Sequence, residues 1–416
     1  MDGNGGVLEL PPSRPSFDQQ FSNKNTLKNS VGDMKFVDIK FSFESPTDKT
    51  PLVVFPGWSI TLNTEKQLLE CLTTGKQGLE ETTSPLEPKR YYGRHVVSGE
   101  FPRRGGTVEE KHDISNEVIR RSELVAQLIL SQEGKVDISA DSEAGMDLIV
   151  AMKIYGDELL AKIRNIVIVS PAGVAGDDST VELMARSIPH FGQDILTFAK
   201  SPIERRNIIR MGIEAALYVG KNLPRTLGEV NAIGSSEEYE GLKTLKKDLD
   251  KHGIKLGFIQ AQSDRLTPAA KLWRRIAGEA GDTEETDIYL RGSKDLKLQP
   301  KDTEKQRRGK IRRFIETKEE LNRKMREEGK TPPVDSITMV GGGHDNRIYG
   351  ERDFGIKILR VLEQLGNPIS AEQAAEFAKS EADIAQTKRY KKIEELAQRR
   401  MRTKRIFGPG LTKGIK

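Results

Sequence analysis

The sequence is poor in the residue types on which several kinds of site depend. It has one cysteine, Cys71, among 416 residues. A disulfide framework and a cysteine-based zinc site are therefore excluded. It has five histidines, and none lies three or four residues from another. A histidine-rich metal cluster is not expected either.

Long apolar runs are also missing. No run approaches the roughly 18 residues that a membrane helix needs. The segment 1–6, Met-Asp-Gly-Asn-Gly-Gly, lacks the basic start and apolar stretch of a signal peptide. With the single cysteine, these features predict a soluble cytoplasmic protein without a transmembrane segment.

The formal net charge of +5 is unevenly distributed. Residues 388–416 hold 11 Lys and Arg against 2 Asp and Glu, and residues 291–330 hold 15 against 8. The remainder of the chain has an excess of acidic residues. These two basic segments predict either solvated extensions or contact with an anionic surface or partner.

Short apolar runs alternate with stretches of helical periodicity. This alternation predicts an α/β fold, in which a mostly parallel sheet carries helices on both faces. The strands are expected near 34–43, 52–55, 94–98, 135–140, 164–169, 254–260 and 336–340. The longer helices are expected near 62–74, 113–130, 143–154 and 350–365.

Composition divides the chain into three parts. Residues 1–33, rich in Gly, Pro, Ser and Asn, predict a disordered leader. Residues 34–365 are predicted to form the α/β domain, which includes an apolar helical stretch at 179–230 and a charged basic insertion at 282–333. Residues 366–416 predict a helical basic tail.

One strand–helix junction has the pattern of a reactive serine. The segment Ala140-Asp141-Ser142-Glu143-Ala144 places Ser142 between a buried strand and a helix, with small residues on either side. Such a turn needs small neighbours because strand and helix pack closely there, and it raises the serine hydroxyl above the sheet. The N–H of Glu143 then lies at a helix N-terminus, where it can stabilise an oxyanion.

An acid and a base follow two later strands. Asp264 comes after the strand near 254–260, and His344 comes after 336–340 and three glycines. Parallel strands place their carboxyl ends at one edge of the sheet, so Ser142, Asp264 and His344 are expected to converge there. Asp177 or Asp178, beyond the strand at 164–169, is an alternative acid.

These motifs, in this order, resemble the α/β-hydrolase superfamily. Residues 51–58, Pro-Leu-Val-Val-Phe-Pro-Gly-Trp, resemble its oxyanion loop, and 140–144 resemble its nucleophile elbow. Residues 262–268 resemble its acid loop, and Gly343-His344 its histidine loop. The chain departs from the usual pattern in having Ala140 and Ala144 where the elbow usually has glycines.

The resemblance implies a function and a set of roles. Ser142 would be the nucleophile, His344 the base and Asp264 the acid, with the N–H groups of Trp58 and Glu143 forming an oxyanion hole. The stretch 179–230 would be a lid. We therefore expect a serine hydrolase that cleaves an ester, thioester or related acyl bond of a small-molecule substrate, without a metal or cofactor. The alternative is a non-catalytic binding or scaffold protein that uses its basic extensions.

Overall fold

The structure of this chain is a computed structural model. It describes residues 15–29, 32–40, 48–57, 60–76, 91–101, 117–171, 242–261, 334–340 and 351–366, with Asp264 and isolated positions within 182–231 and 323–329.

Eight strands form one sheet, and two short ones pair separately. The strands are β1 (Asn25–Leu27), β2 (Met34–Ile39), β3 (Leu52–Phe55), β4 (Gly75–Lys76), β5 (Tyr91–Tyr92), β6 (Val96–Glu100), β7 (Val136–Asp141), β8 (Ile163–Val169), β9 (Lys255–Ala261) and β10 (Ser336–Val340). The order in the large sheet is β1-β2-β6-β3-β7-β8-β9-β10, and β4 pairs with β5. The six strands from β6 to β10 in this order are all parallel, whereas β1 and β2 are antiparallel to their neighbours.

Seven helices have described bounds. They are α1 (Phe17–Ser22), α2 (Lys66–Thr74), α3 (Glu117–Leu130), α4 (Glu143–Tyr155), α5 (Asp157–Leu160), α6 (Leu242–Lys251) and α7 (Glu351–Gly366).

Helices cover both faces of the sheet. On β8, Val167 and Val169 belong to a core that includes side chains of α2 and α7. The intervening Ile168 faces Gly145 of α4 on the opposite face. Strands buried on both faces read as continuous apolar runs, which is the pattern of β3 and β8. The predicted α/β class with a mostly parallel sheet is confirmed.

The prediction of a disordered leader over 1–33 is wrong for residues 15–29. Ser16 caps α1 through a capping box with Gln19, and Phe17 and Phe21, one turn apart, are buried and stacked with ring centroids 5.7 Å apart. The Gln20 side chain also pairs with the backbone of Lys40, next to β2. Two buried aromatic rings outweigh the polar composition of this segment.

Several predicted segments lie largely outside the described residues. The described positions within 182–231 are all helical, but the lid at 179–230, the insertion at 282–333 and the tail at 366–416 stay predictions. By contacts, the chain divides into one unit of Met1–Asp287 with Met325–Pro368, and another of Ile288–Lys324 with Ile369–Lys416. The second unit contains most of both basic segments. In the described part of the chain, no helix is long and apolar enough to cross a membrane.

A buried ion cluster connects the amino ends of the central strands. The carboxylate of Asp137, fully buried at the start of β7, accepts hydrogen bonds from Arg94 (2.8 Å), Arg164 (2.9 Å) and Asn165 (3.1 Å). Arg164 also pairs with Asp48 at 2.7 Å. Each buried charge thus has an opposite charge within reach, as its loss of hydration requires.

We predict that Arg94→Met lowers the free energy of unfolding by about 3 kcal/mol, because it removes a partner from the buried Asp137 carboxylate. Lys251→Met is the matched control, since it breaks a pair with Asp157 that is exposed to solvent. Urea unfolding followed by circular dichroism measures both. Equal changes in the two variants would contradict the prediction.

Asp48 gives this cluster a defined pH dependence. Partial burial raises the pKa of the Asp48 carboxyl, but the hydrogen bond from Arg164 and the charge of Arg94 outweigh burial and hold it below its ordinary value. A lowered pKa stabilises the fold above the unfolded value of about 4, and this contribution disappears as the pH falls through the folded pKa.

We therefore predict that Asp48→Asn is less stable than the wild type at pH 6, and that the difference shrinks as the pH falls below about 4. Urea midpoints of both proteins between pH 3 and pH 7 measure it. A difference that stays constant over this range would show that the Asp48 charge contributes nothing.

Candidate active site

The backbone at Ser142 is held in a conformation that few residues other than glycine adopt. Ser142 joins β7 to α4 directly and has φ 50° and ψ −118°. This conformation costs of order 1–3 kcal/mol and persists only where the surroundings enforce it. The Ser142 N–H donates to Val169 O of the adjacent strand at 2.8 Å, and Gly145 N–H donates to Ser142 O at 3.1 Å. The strained turn is therefore fixed from both the strand side and the helix side.

Small residues around this turn allow close packing. A Cβ added to Gly145 would lie 2.6 Å from Cγ2 of Ile168, so α4 approaches β8 more closely than alanine would permit. Ala140 and Ala144 are both buried, as the predicted need for small residues at these positions requires.

Gly57 brings the loop after β3 against the same turn. A Cβ on Gly57 would lie 2.9 Å from Asp141 Oδ2, 3.1 Å from Ser142 Cβ and 3.3 Å from Asp141 O. The backbone before Trp58 thus packs directly on the turn that carries Ser142.

Glu143 is the first residue of α4 and is buried. The N–H groups of the first helical turn have no acceptor within the helix, so the Glu143 N–H is available to a bound anion. The Glu143 carboxylate accepts a hydrogen bond from the guanidinium of Arg121 on α3. Sequence reasoning missed Arg121. The available signal was the pair Glu143 and Asp147, two acids one turn apart in a largely apolar helix, which need an opposite charge if they are buried.

Asp264 lies three residues beyond β9 and is only 6% exposed. Its Oδ2 accepts a hydrogen bond from Nε2 of Gln260, also buried, at 3.3 Å. Because β7, β8 and β9 are adjacent and parallel, Ser142 and Asp264 leave the sheet at the same edge.

Ser170 resembles Ser142 in conformation. It follows β8, has φ 43°, is buried, and donates its N–H to Ile259 O at 2.8 Å. Two neighbouring strands, β7 and β8, are therefore each followed by a buried serine with positive φ. Of the two serines, Ser142 directly precedes a described helix.

Four of the predicted residues lie outside the described ones: Trp58, His344, and the alternative acids Asp177 and Asp178. Strand β10 ends at Val340, four residues before His344, and β3 ends at Phe55, three before Trp58. Among the residues that the structure describes, no three His, Cys, Asp or Glu side chains are grouped to hold a metal ion.

Comparison with known proteins gives matches in structure only. The sequence matches no family model, and no curated protein sequence matches it. Among solved structures, a bromoperoxidase from Bacillus anthracis is 14% identical with a TM-score of 0.45. The match covers 82% of this chain and 99% of the bromoperoxidase chain. The carboxylesterase CesB from Bacillus subtilis is 8% identical with a TM-score of 0.43, and the match covers 83% of this chain and 95% of CesB. An esterase from Thermogutta terrifontis is 12% identical with a TM-score of 0.44, and the match covers 82% of this chain and 98% of the esterase.

The described residues themselves establish the type of fold. Six parallel strands carry two antiparallel strands at one edge, and helices cover both faces. The central strand β7 passes through a strained serine directly into a helix, and β9 is followed by a buried aspartate. The mostly parallel sheet with helices on both faces agrees with the predicted class, and the chain has the fold of the α/β-hydrolase superfamily.

Proposed function

We propose that this protein is a serine hydrolase that cleaves an ester, thioester or related acyl bond through an acyl-Ser142 intermediate. His344 is the proposed general base and Asp264 the proposed acid. The N–H groups of Trp58 and Glu143 form the proposed oxyanion hole. The observation that carries the proposal is the strained backbone of Ser142 between β7 and α4.

The strained turn matters because it determines where the Ser142 hydroxyl and the Glu143 N–H lie. A serine at a direct strand–helix turn has its hydroxyl at the carboxyl edge of the sheet, and the next N–H belongs to the helix N-terminus. Nucleophile and oxyanion donor thus come from adjacent residues of one rigid turn. Preorganisation of this kind lowers the barrier because no reorientation is needed as charge develops.

In the acylation step, the imidazole of His344 takes the proton of the Ser142 hydroxyl as Oγ bonds to the acyl carbon. The carbonyl oxygen becomes an oxyanion, which the two N–H groups stabilise. The bond between acyl carbon and leaving group then breaks. The leaving alcohol or thiol takes the proton from His344, and the acyl group stays on Ser142.

In the deacylation step, His344 removes a proton from water as the water oxygen bonds to the acyl carbon. The bond from Ser142 Oγ to this carbon breaks, and Oγ regains a proton from His344. The products are a carboxylic acid and free enzyme. Asp264 stays ionised throughout; it orients the imidazole and stabilises its positive charge.

The setting of Asp264 supports this role. The residue is buried and accepts a hydrogen bond from Gln260, which limits the orientations of its carboxylate. An ionised carboxylate accepts several hydrogen bonds, so Asp264 can hold the bond from Gln260 and still accept one from an imidazole.

We predict that a fluorophosphonate probe labels the wild type at Ser142, and that Ser142→Ala abolishes labelling. The matched control is Ser170→Ala, which removes a serine of similar burial and backbone conformation from the end of the next strand and is expected to label like the wild type. In-gel fluorescence and mass spectrometry of the labelled peptide measure the result. An unlabelled wild type, or equal labelling of Ser142→Ala, would overturn the proposal and favour a binding or scaffold protein.

We also predict that Gly57→Ala slows fluorophosphonate labelling by about tenfold or more. The added methyl group must displace either the turn at Ser142 or the loop that carries the Trp58 N–H. Small displacements of catalytic groups lower the reaction rate strongly. Gly366→Ala is the control, since a Cβ there meets no atom within 4 Å. Labelling rates under identical probe concentrations measure the effect; a rate for Gly57→Ala equal to that of the control would contradict it.

A further inference from the structure

A buried cluster of charges lies directly behind the turn at Ser142. The guanidinium of Arg121 on α3 donates a hydrogen bond to Glu143 and pairs with Asp147, with Nε 3.4 Å from Asp147 Oδ2. The side chains of Arg121 and Glu143 are 2% exposed and that of Asp147 is 0% exposed. Arg121 therefore links α3 to the first two turns of α4, which begins with the proposed oxyanion donor.

Arg121 also contacts an aromatic pair that includes the last residue of β3. Its guanidinium lies over the ring of Phe101, 5.9 Å from the centroid, and Phe101 stacks on Phe55 with centroids 6.5 Å apart. Phe55 is the last residue of β3 and leads into the loop of Pro56, Gly57 and Trp58. The guanidinium is thus linked through the ring of Phe101 to Phe55 at the end of β3.

The charges and the planar guanidinium restrict the positions that the side chains of this cluster can take. Glu143 and Asp147 are two carboxylates one turn apart on one helix, and in a buried site their repulsion needs an opposite charge between them. The guanidinium is planar and presents its N–H groups in a fixed fork, so it can satisfy a carboxylate only in a narrow range of positions. The guanidinium lies at the same time over the ring of Phe101.

We propose that Arg121 is a positioning residue that fixes the first turn of α4, and with it the Glu143 N–H of the proposed oxyanion hole. This inference rests on the proposed serine-hydrolase function. Arg121 touches neither substrate nor reacting atoms; it acts through the position of Glu143. Its loss therefore slows bond formation at Ser142 and leaves probe affinity nearly unchanged.

The test uses the full-length protein and the same fluorophosphonate probe. Arg121→Met removes the charge and keeps the length of the side chain, Arg121→Lys keeps the charge but not the fork, and Glu143→Gln removes the charge of the partner alone. For Arg121→Met we expect the maximal inactivation rate to fall about 10- to 100-fold while the half-saturating probe concentration changes less than about twofold. Arg121→Lys should recover part of this loss, and Glu143→Gln should lose about fivefold or more.

Arg94→Met is the matched control, because Arg94 is also a buried arginine paired with a buried aspartate, but at the opposite edge of the sheet. It should lose stability and keep the wild-type inactivation rate. If Arg121→Met fails to fold, Glu143→Gln decides the question, since it keeps the size of the side chain and its capacity to accept a hydrogen bond.

The outcomes separate this inference from the proposed function. A wild type that does not label at Ser142 removes the proposed function and the inference together. A wild type that labels, with inactivation rates of Arg121→Met and Glu143→Gln within about twofold of it, leaves the function standing and overturns the role of Arg121. An equal loss of rate in Arg94→Met would overturn it as well, because the effect would then follow stability rather than position.

Discussion

The carboxyl edge of this sheet depends on the contact between Gly57 and the turn at Asp141 and Ser142. A single added carbon on Gly57 would lie within 2.9–3.3 Å of three atoms of that turn. Because β3 and β7 are paired and parallel, the loop after β3 and the turn after β7 must cross this edge side by side. Only a residue without a side chain lets both backbones pass. The two proposed oxyanion donors come from these two segments, so this contact limits how far apart they can lie.

The turn itself is held by its neighbours rather than by its own residue type. Ser142 has a positive φ, which a serine adopts only under constraint, and its N–H is bonded to β8. Gly145, one helical turn further on, lets α4 pack against Ile168 of the same strand. The adjacent strand thus fixes the first turn of α4 at two points. The cost of the strain is offset by packing across the sheet, which places Ser142 at the edge without requiring a glycine there.

Much of the sheet could be predicted from the sequence because its central strands β3, β7 and β8 are buried on both faces. The runs at 52–55 and 336–340 were predicted at their observed bounds, and the Ser142 turn followed from the direct succession of strand and helix. The order of the strands was not predictable, since the pairing of β3 between β6 and β7 is a property of the whole chain. The helix at Phe17–Ser22 was missed because its stability comes from tertiary burial of two phenylalanines, which composition does not reveal. Arg121 was missed because it is one of many charged residues, and only packing distinguishes a buried arginine from a solvated one.

The two buried arginine clusters differ in what they hold together. At the amino edge, Arg94, Arg164 and Asn165 converge on Asp137, so the cluster joins the amino ends of β6, β7 and β8. At the carboxyl edge, Arg121 joins two helices and an aromatic pair that leads to β3. Buried ion pairs are often no more stabilising than apolar side chains of the same volume, so stability alone does not account for charges in the second position. Apolar side chains can shift against one another at little cost, whereas a guanidinium fork fixes its carboxylate in direction as well as distance. A site that must hold the Glu143 N–H in a fixed position gains from that directionality, and this favours a positioning role for Arg121 over a purely structural one.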